Sequence, residues 1–328
     1  YFQEYYYELK KNCIGKKRFK KGFPTVNIFT DENGLRVKKN HKRNSDKKNI
    51  LIFGDSFTYG WGLNYEDTYV AKIEKELKNF NVYNFAVGSY SPAVHLFKLN
   101  SAIQKSIIPH KIIVFLDFTD VLDESTRWNY ELGNDFPQLT YNQLEFIKKK
   151  SGLSFKQKNF KLLTSISYFI NFHSRILRSK IDSYLSKNQI NNEVGISHSI
   201  QANFTYTPTV DLDPRFWKKN QFAKGINRIN NNIKLMQDIA LKYNSEFYIV
   251  IYPWAETLVY GQKEFNWSEY SKSLCTIGKC KLIDSFDYFY KYKDENINWK
   301  NQLYFISDQH FNKLGAELLS NVVLKNIN

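Results

Sequence analysis

The chain has 328 residues, 47 of them Lys or Arg and 32 Asp or Glu, for a formal net charge of +15. With 42% hydrophobic and 17% aromatic residues it is no disordered chain, and its length supports a sizeable core without metal or disulfide staples. No apolar run nears the roughly 18 residues of a membrane span. The longest, 112–116 and 247–252, are strand-sized.

The charge is uneven: residues 1–50 hold 14 Lys/Arg against 5 Asp/Glu. That segment is expected to meet an anionic surface, either a membrane or an acidic glycan. Elsewhere the excess is thin and reads as compositional bias. No Arg-rich recognition helix, zinc-finger spacing or aromatic RNP-like strand occurs, so nucleic acid is not an expected partner. Tyr1-Phe2-Gln3 resembles the remnant of a protease-cleavage tag, which leaves room for a natural signal or membrane anchor ahead of it.

Residues 1–48 form a basic N-terminal segment. In it, Asp31-Glu32-Asn33-Gly34 predicts a hairpin turn between 26–30 and 35–38. The apolar run 49–53, ending at Gly54, predicts a strand buried on both faces. Asn64, with Asp67 three residues on, predicts the N-cap of a helix reaching about residue 77. A strand at 82–85, a helix over 93–105 and a strand at 111–116 follow. Residues 125–220 are polar and Asn/Ser/Lys-rich, and read as an insertion or cap with a helix over 162–185. The alternation resumes with a helix over 225–243, a strand at 246–252, a weaker strand at 281–283 and a last helix over 313–325. Five strands separated by helices predict a three-layer α/β/α sandwich around a mostly parallel five-stranded sheet, spanning 49–328.

Cys275 and Cys280 bracket Thr-Ile-Gly-Lys, a spacing that suits either a small disulfide loop or two free thiols in a reducing compartment. Cys13 is then the odd one out. Too few Cys and His lie nearby for zinc.

The chemistry-bearing stretch is Gly54-Asp55-Ser56-Phe57-Thr58-Tyr59-Gly60. It follows the first buried strand, so Ser56 would stand at the carboxyl edge of the sheet, where open α/β sheets bind ligands. A serine nucleophile needs a base and a group to orient that base. Asp308 and His310, in the loop before the last helix, offer both. Together with Asn84-Phe85-Ala86-Val87-Gly88-Ser89, these blocks resemble the SGNH/GDSL hydrolase superfamily of esterases, lipases, carbohydrate deacetylases and O-acetyltransferases. The likeness runs from about residue 48 to 325, interrupted by 125–220, and implies a flavodoxin-like sheet. It also implies catalytic Ser56, His310 and Asp308, with an oxyanion hole from the Ser56 and Gly88 amides. The overall pattern, Cys275 and Cys280 included, is similar to stand-alone members encoded among bacterial surface-polysaccharide genes. It therefore implies an acylated glycan as substrate, no cofactor, and a periplasmic or extracytoplasmic home.

Two departures stand out. The superfamily's third block carries an Asn that donates to the oxyanion, but here the third strand runs into Asp117-Phe118-Thr119-Asp120, leaving Thr119 or Asp120 near that place. The acid stands two residues before the His rather than three. The run Asp117, Asp120, Asp123, Glu124 suits either a hard cation or helix capping with local basic partners, and no metal site is assigned. Asp55 is read as substrate-binding. Of the tryptophans in or near loops (Trp61, Trp128, Trp217, Trp254), Trp61 and Trp254 are read as platforms for a sugar. The leading expectation is a serine esterase or O-acetyltransferase; the alternative is a catalytically silent, glycan-binding domain.

Overall fold

The computed structural model describes residues 7–19, 22–129, 138–139, 220–262, 265–306 and 308–327. Three short antiparallel strands come first: β1 (Ile14–Lys17), β2 (Val26–Thr30) and β3 (Arg36–Val37), in the order β1-β2-β3. The predicted hairpin is β2–β3. The Asp31 carboxylate closes its turn, accepting the Asn33 and Leu35 N–H groups at 2.9 and 2.8 Å, and Gly34 takes the positive φ of 77°. β1 escapes the sequence reading because its mostly exposed Ile-Gly-Lys-Lys has no inward-facing alternation.

The main sheet holds β4 (Lys48–Phe53), β5 (Phe80–Asn84), β6 (Pro109–Leu116), β9 (Glu246–Ile251) and β10 (Cys280–Asp284). Every pairing in it is parallel, in the order β10-β9-β6-β4-β5, the flavodoxin-like arrangement. Between β6 and β9 a two-stranded ribbon, β7 (Trp128–Asn129) and β8 (Gln138–Leu139), opens the 125–220 region. The helix expected over 162–185 lies outside the described residues, as do Trp217 and Ser307.

The α-helices among the described residues are α1 (Ser56–Tyr59), α2 (Tyr69–Glu76), α3 (Pro92–Gln104), α4 (Thr119–Leu122), α5 (Gln221–Lys242), α6 (Ala255–Tyr260), α7 (Trp267–Lys272), α8 (Phe286–Glu295), α9 (Trp299–Leu303) and α10 (Lys313–Ile327). α2 packs with α10, and α3 with α5. Right-handed crossovers put these pairs on opposite faces of the sheet, so Ile50, Leu51, Ile52 and Phe53 of β4 are fully buried. Among the described residues, no helix is long and apolar enough to cross a membrane.

The start of α2 departs from expectation. Asn64 does not cap α2: a 3₁₀ turn (Tyr65–Asp67) intervenes, and Thr68 Oγ1 accepts the Ala71 N–H at 3.1 Å. Asn64 Oδ1 is taken by the Asn27 N–H of β2 at 2.9 Å, so the hairpin outcompetes the helix for it. A disulfide joins Cys275 to Cys280, the first residue of β10, and Cys13 is unpaired.

Arg36 ties the hairpin to the main sheet. Its guanidinium is fully buried and donates to the carbonyls of Tyr59 (2.6 Å), Gly60 (2.8 Å) and Leu63 (2.5 Å). Arg36→Met should leave the Tyr59 and Leu63 carbonyls without this donor and the Gly60 carbonyl with the Leu63 N–H alone, and destabilise the protein by about 2 kcal/mol or more in urea unfolding. Arg36→Lys should rescue little, because a single ammonium cannot span the fork. Unchanged stability in both variants would refute this role.

Candidate active site

β4 delivers the chain into Gly54-Asp55-Ser56 at the carboxyl edge of the sheet. A Cβ on Gly54 would stand 2.0 Å from Thr58 Oγ1, so this turn closes only around glycine. Asp55 Oδ1 accepts the Phe57 N–H at 2.9 Å and N-caps α1. At the far end Gly60 takes a φ of 85°, where a Cβ would lie 2.2 Å from Thr68 Cγ2. His95 of α3 contacts the Gly54 carbonyl through Nε2 at 3.3 Å. Burial pushes this ring down to about 3, which keeps it neutral and makes Nε2–H a donor there.

His310 and Asp308 sit between α9 and α10, in a loop shaped by a Tyr304–Phe311 bridge and by the Phe305 N–H donating to the His310 carbonyl at 2.9 Å. Asp308 Oδ1 accepts the His310 backbone N–H at 3.0 Å and lies 2.5 Å from Nδ1. The two-residue spacing therefore works as an Asx-type turn that folds the carboxylate back onto its own histidine. His310 Nε2 lies 2.8 Å from Ser56 Oγ. The structure thus brings Ser56, His310 and Asp308 into one hydrogen-bonded line from loops 254 residues apart.

Gly88 abuts the nucleophile: a Cβ there would be 3.7 Å from Ser56 Cβ. The Ser56 N–H, in the first turn of α1, has no intrahelical acceptor. The Gly88 loop is braced by residues that the sequence reading passed over or read otherwise. Tyr7 OH donates to the Gly88 carbonyl at 2.5 Å, Tyr90 OH donates to the Tyr7 carbonyl at 2.5 Å, and Trp128 Nε1 donates to the Ser89 carbonyl at 3.1 Å. Ser89 sits at φ 61°, a strained value for a residue with a Cβ. No local periodicity could have signalled a contact spanning 81 residues.

Several expected roles change. Trp254 is only 5% exposed, packs on Phe57 and Phe118, and donates Nε1–H to Asp117 at 2.8 Å, so it is core rather than a sugar platform. Trp128 is buried likewise. Asp55 is a buried cap, not an exposed substrate ligand. Neither third-block candidate is presented as an oxyanion donor. Thr119 gives its hydroxyl to Asp117, while Asp120 accepts the Asp117 N–H at 2.8 Å through Oδ2 and buries Oδ1. Trp61 is half-exposed and stacks on His310 at 5.5 Å with 15° between the rings.

The acidic run diverges. Asp123 pairs with Arg127 at 2.7 Å, while Glu124 accepts the Ser91 hydroxyl (2.8 Å) and Ala93 N–H (2.6 Å) at the start of α3 and pairs with Arg228 at 3.3 Å. Among the described residues no group of three His, Cys, Asp or Glu side chains is arranged to hold a metal ion. Asp55 and Asp117 share the Tyr252 hydroxyl at 3.2 and 3.3 Å. Burial, then the neighbouring Asp117 carboxylate, pushes Asp55 up to about 8; burial also raises Asp117 and, well above the usual range, Asp120.

No protein-family model matches this chain, and no curated protein matches it. Among solved structures it is similar to a member of the lipolytic protein G-D-S-L family from Veillonella parvula (12% identity, 85% of this chain and 98% of that one, TM-score 0.44). It is also similar to a psychrotrophic esterase from Pseudoalteromonas (12%, 86% and 97%, TM-score 0.39). A third is a catalytic mutant of an acetylxylan esterase from Geobacillus stearothermophilus (10%, 86% and 94%, TM-score 0.40). Likenesses this remote say nothing of chemistry. Sheet order makes the fold a flavodoxin-like α/β/α sandwich, and the Gly-Asp-Ser turn and the Asp-x-His loop meet at the carboxyl edge of its sheet.

Two outcomes follow from this geometry. Between about pH 4 and pH 8 the folded Asp55–Asp117 pair holds a proton that the unfolded chain has released. The stability it contributes is therefore full below that window and lost as pH rises through it. Asp55→Asn should flatten the fall in unfolding free energy by up to about 1.4 kcal/mol per pH unit; an unchanged slope would contradict the assignment. Tyr7→Phe should lower kcat on an ester substrate by about tenfold, with KM and thermal stability nearly unchanged, if Tyr7, through the Gly88 carbonyl, fixes the loop that presents the Gly88 N–H. An equal loss of stability would reduce Tyr7 to packing.

Proposed function

We propose that this chain is a serine esterase that removes or passes on an acyl group, acetyl in the first instance, carried as an ester on a cell-surface or exported carbohydrate. The observation that carries this reading is the Ser56–His310–Asp308 line, 2.8 Å and 2.5 Å between successive partners. His310 Nε2 takes the Ser56 proton as Oγ attacks the ester carbonyl. The carbonyl carbon's bond to the sugar oxygen then breaks, and that oxygen leaves with the proton from His310. Water, or a second sugar hydroxyl, attacks the acyl-serine, gives its proton to the same ring, and Ser56 regains a proton as it leaves. Asp308 holds the ring tautomer and stabilises the imidazolium. The backbone N–H groups of Ser56 and Gly88 receive the oxyanion. Side chains supply nucleophile, base and acid, so the step calls for no cofactor. The Cys275–Cys280 bridge supports an oxidising, periplasmic or extracytoplasmic setting.

One observation favours a second reading, a catalytically silent glycan-binding domain: the third loop presents no side-chain donor in place of the missing Asn, because Thr119 is held by Asp117 and Asp120 Oδ1 is buried. Losing one such donor costs about 10²–10³ in rate, which slows an esterase without abolishing it. Hydrolysis of p-nitrophenyl acetate decides between the two. The esterase should turn it over, react at Ser56 with a fluorophosphonate, and lose about 10⁴-fold or more in kcat on Ser56→Ala. No turnover and no labelling would leave the silent domain standing.

A further inference from the structure

The N-terminal strand brings a cation to the mouth of the candidate site. Lys17, the last residue of β1, is exposed and holds Nζ 4.9 Å from the Phe19 ring centroid and 5.8 Å from that of Trp61. Phe19 and Trp61 are half-buried, with their rings 4.3 Å apart, and Trp61 in turn stacks on His310. Imidazole, indole and ammonium therefore form one continuous shelf, with Lys17 a single aromatic ring beyond the proton acceptor. No described carboxylate makes a salt bridge with Lys17. The one acid in residues 7–19, Glu8, is engaged by Lys98, whereas Lys10, Lys11, Lys16, Lys17 and Arg18 share that stretch.

Because Trp61 stacks on His310, a sugar ester held at Ser56 has this shelf beside it. A half-exposed aromatic pair gives a pyranose an apolar face to lie on, and an ammonium beside it adds attraction for negative charge. Of the carboxylates near the nucleophile, Asp55, Asp117 and Asp120 do little to cancel that attraction, because burial drives them towards their neutral forms, and Asp308 is turned onto His310 Nδ1. The basic patch thus has a local use at the site, separate from the general excess of lysine.

We propose that Lys17, Phe19 and Trp61 form a subsite for a negatively charged sugar next to the esterified one, so that the preferred substrate is an acylated acidic glycan. The proposal rests on the esterase reading for the word substrate, but the subsite itself is a binding claim and is tested as one. Calorimetric titration of the whole protein with oligogalacturonate should show binding that weakens with added salt, and xylo-oligosaccharide of equal length should bind more weakly. Lys17→Gln should reduce oligogalacturonate affinity about fivefold while leaving the neutral oligomer's affinity unchanged, and Lys17→Arg should restore most of the loss. A sulfated dextran oligomer serves as a further arm: equal response to it assigns the subsite to anionic charge in general, and a weaker one to the carboxylate.

No binding of either anion, equal binding of neutral and acidic oligomers, or a Lys17→Gln protein indistinguishable from wild type would each overturn the subsite. Failure of p-nitrophenyl acetate turnover with the charge preference intact would overturn the esterase reading and leave an acidic-glycan binding site. The two failures are therefore told apart.

Discussion

A helix of four residues cannot hold itself. The first hydrogen-bonded turn fixes about six backbone dihedrals for one bond, so an isolated turn such as α1 is unfavourable unless other parts of the chain complete it. Here that completion comes from every side. Asp55 caps the start, and Arg36 from the hairpin gathers the carbonyls at and beyond the end. Asn84 at the end of β5 donates to the Thr58 carbonyl at 3.2 Å, and Tyr69 of α2 donates to the Thr58 hydroxyl at 2.6 Å. Because Ser56 opens this turn, the nucleophile's position depends on four separate elements of the fold. The N-terminal segment is one of them, through Arg36 below the turn and Tyr7 behind Gly88.

The same crowding sets the electrostatics. Carboxylates are gathered behind Ser56, yet only Asp308 is placed to orient a histidine. Asp55 Oδ2 lies 3.3 Å from Ser56 Oγ, close enough to compete with His310 for the hydroxyl proton if it were charged. Burial raises its proton affinity, so near neutral pH it is held largely in the acid form and is a poor acceptor. His310, at 2.8 Å, is left as the stronger claimant. Tyr252 and Trp254 serve this arrangement by satisfying Asp55 and Asp117 from β9's carboxyl end, which is why an indole expected to meet sugar is turned inward.

How much could be read from the sequence follows from how far each signal reaches. The central strands β4, β6 and β9 carry continuous apolar runs that need no partner to be recognised, whereas the edge strands β5 and β10 are mixed and give a weaker signal. Gly54-Asp55-Ser56 and Asp308-x-His310 are local blocks whose meeting follows from the sheet's polarity, since both stand at its carboxyl edge. The short helices α1, α4, α6, α7 and α9 are held by tertiary contacts, so their residues carry little helical pattern of their own. Tyr7, Arg36 and the inward Trp254 belong to the same class. Their roles exist only once residues tens to hundreds of positions apart are neighbours, and a chain with so many aromatics gives no way to tell a braced ring from an exposed one.

The third loop shows how a departure from a motif can be absorbed. An Asn side chain acting as oxyanion donor must be held in one rotamer, whereas a backbone N–H needs only its peptide held. In this chain the loop after β6 is turned in on itself, with Thr119 and Asp120 satisfying Asp117. The holding falls instead on the Gly88 peptide. The carbonyl of the peptide that carries the Gly88 N–H is that of Val87, which accepts the Tyr90 N–H at 3.1 Å; Tyr7 and Trp128 hold the next two carbonyls, and Tyr7, Tyr90 and Trp128 form a small apolar cluster that shields these bonds from water. A fixed peptide dipole that undergoes no reorganisation as charge develops is the more effective donor. The aromatic bracing therefore offsets, through the backbone, part of what the missing side chain would have supplied.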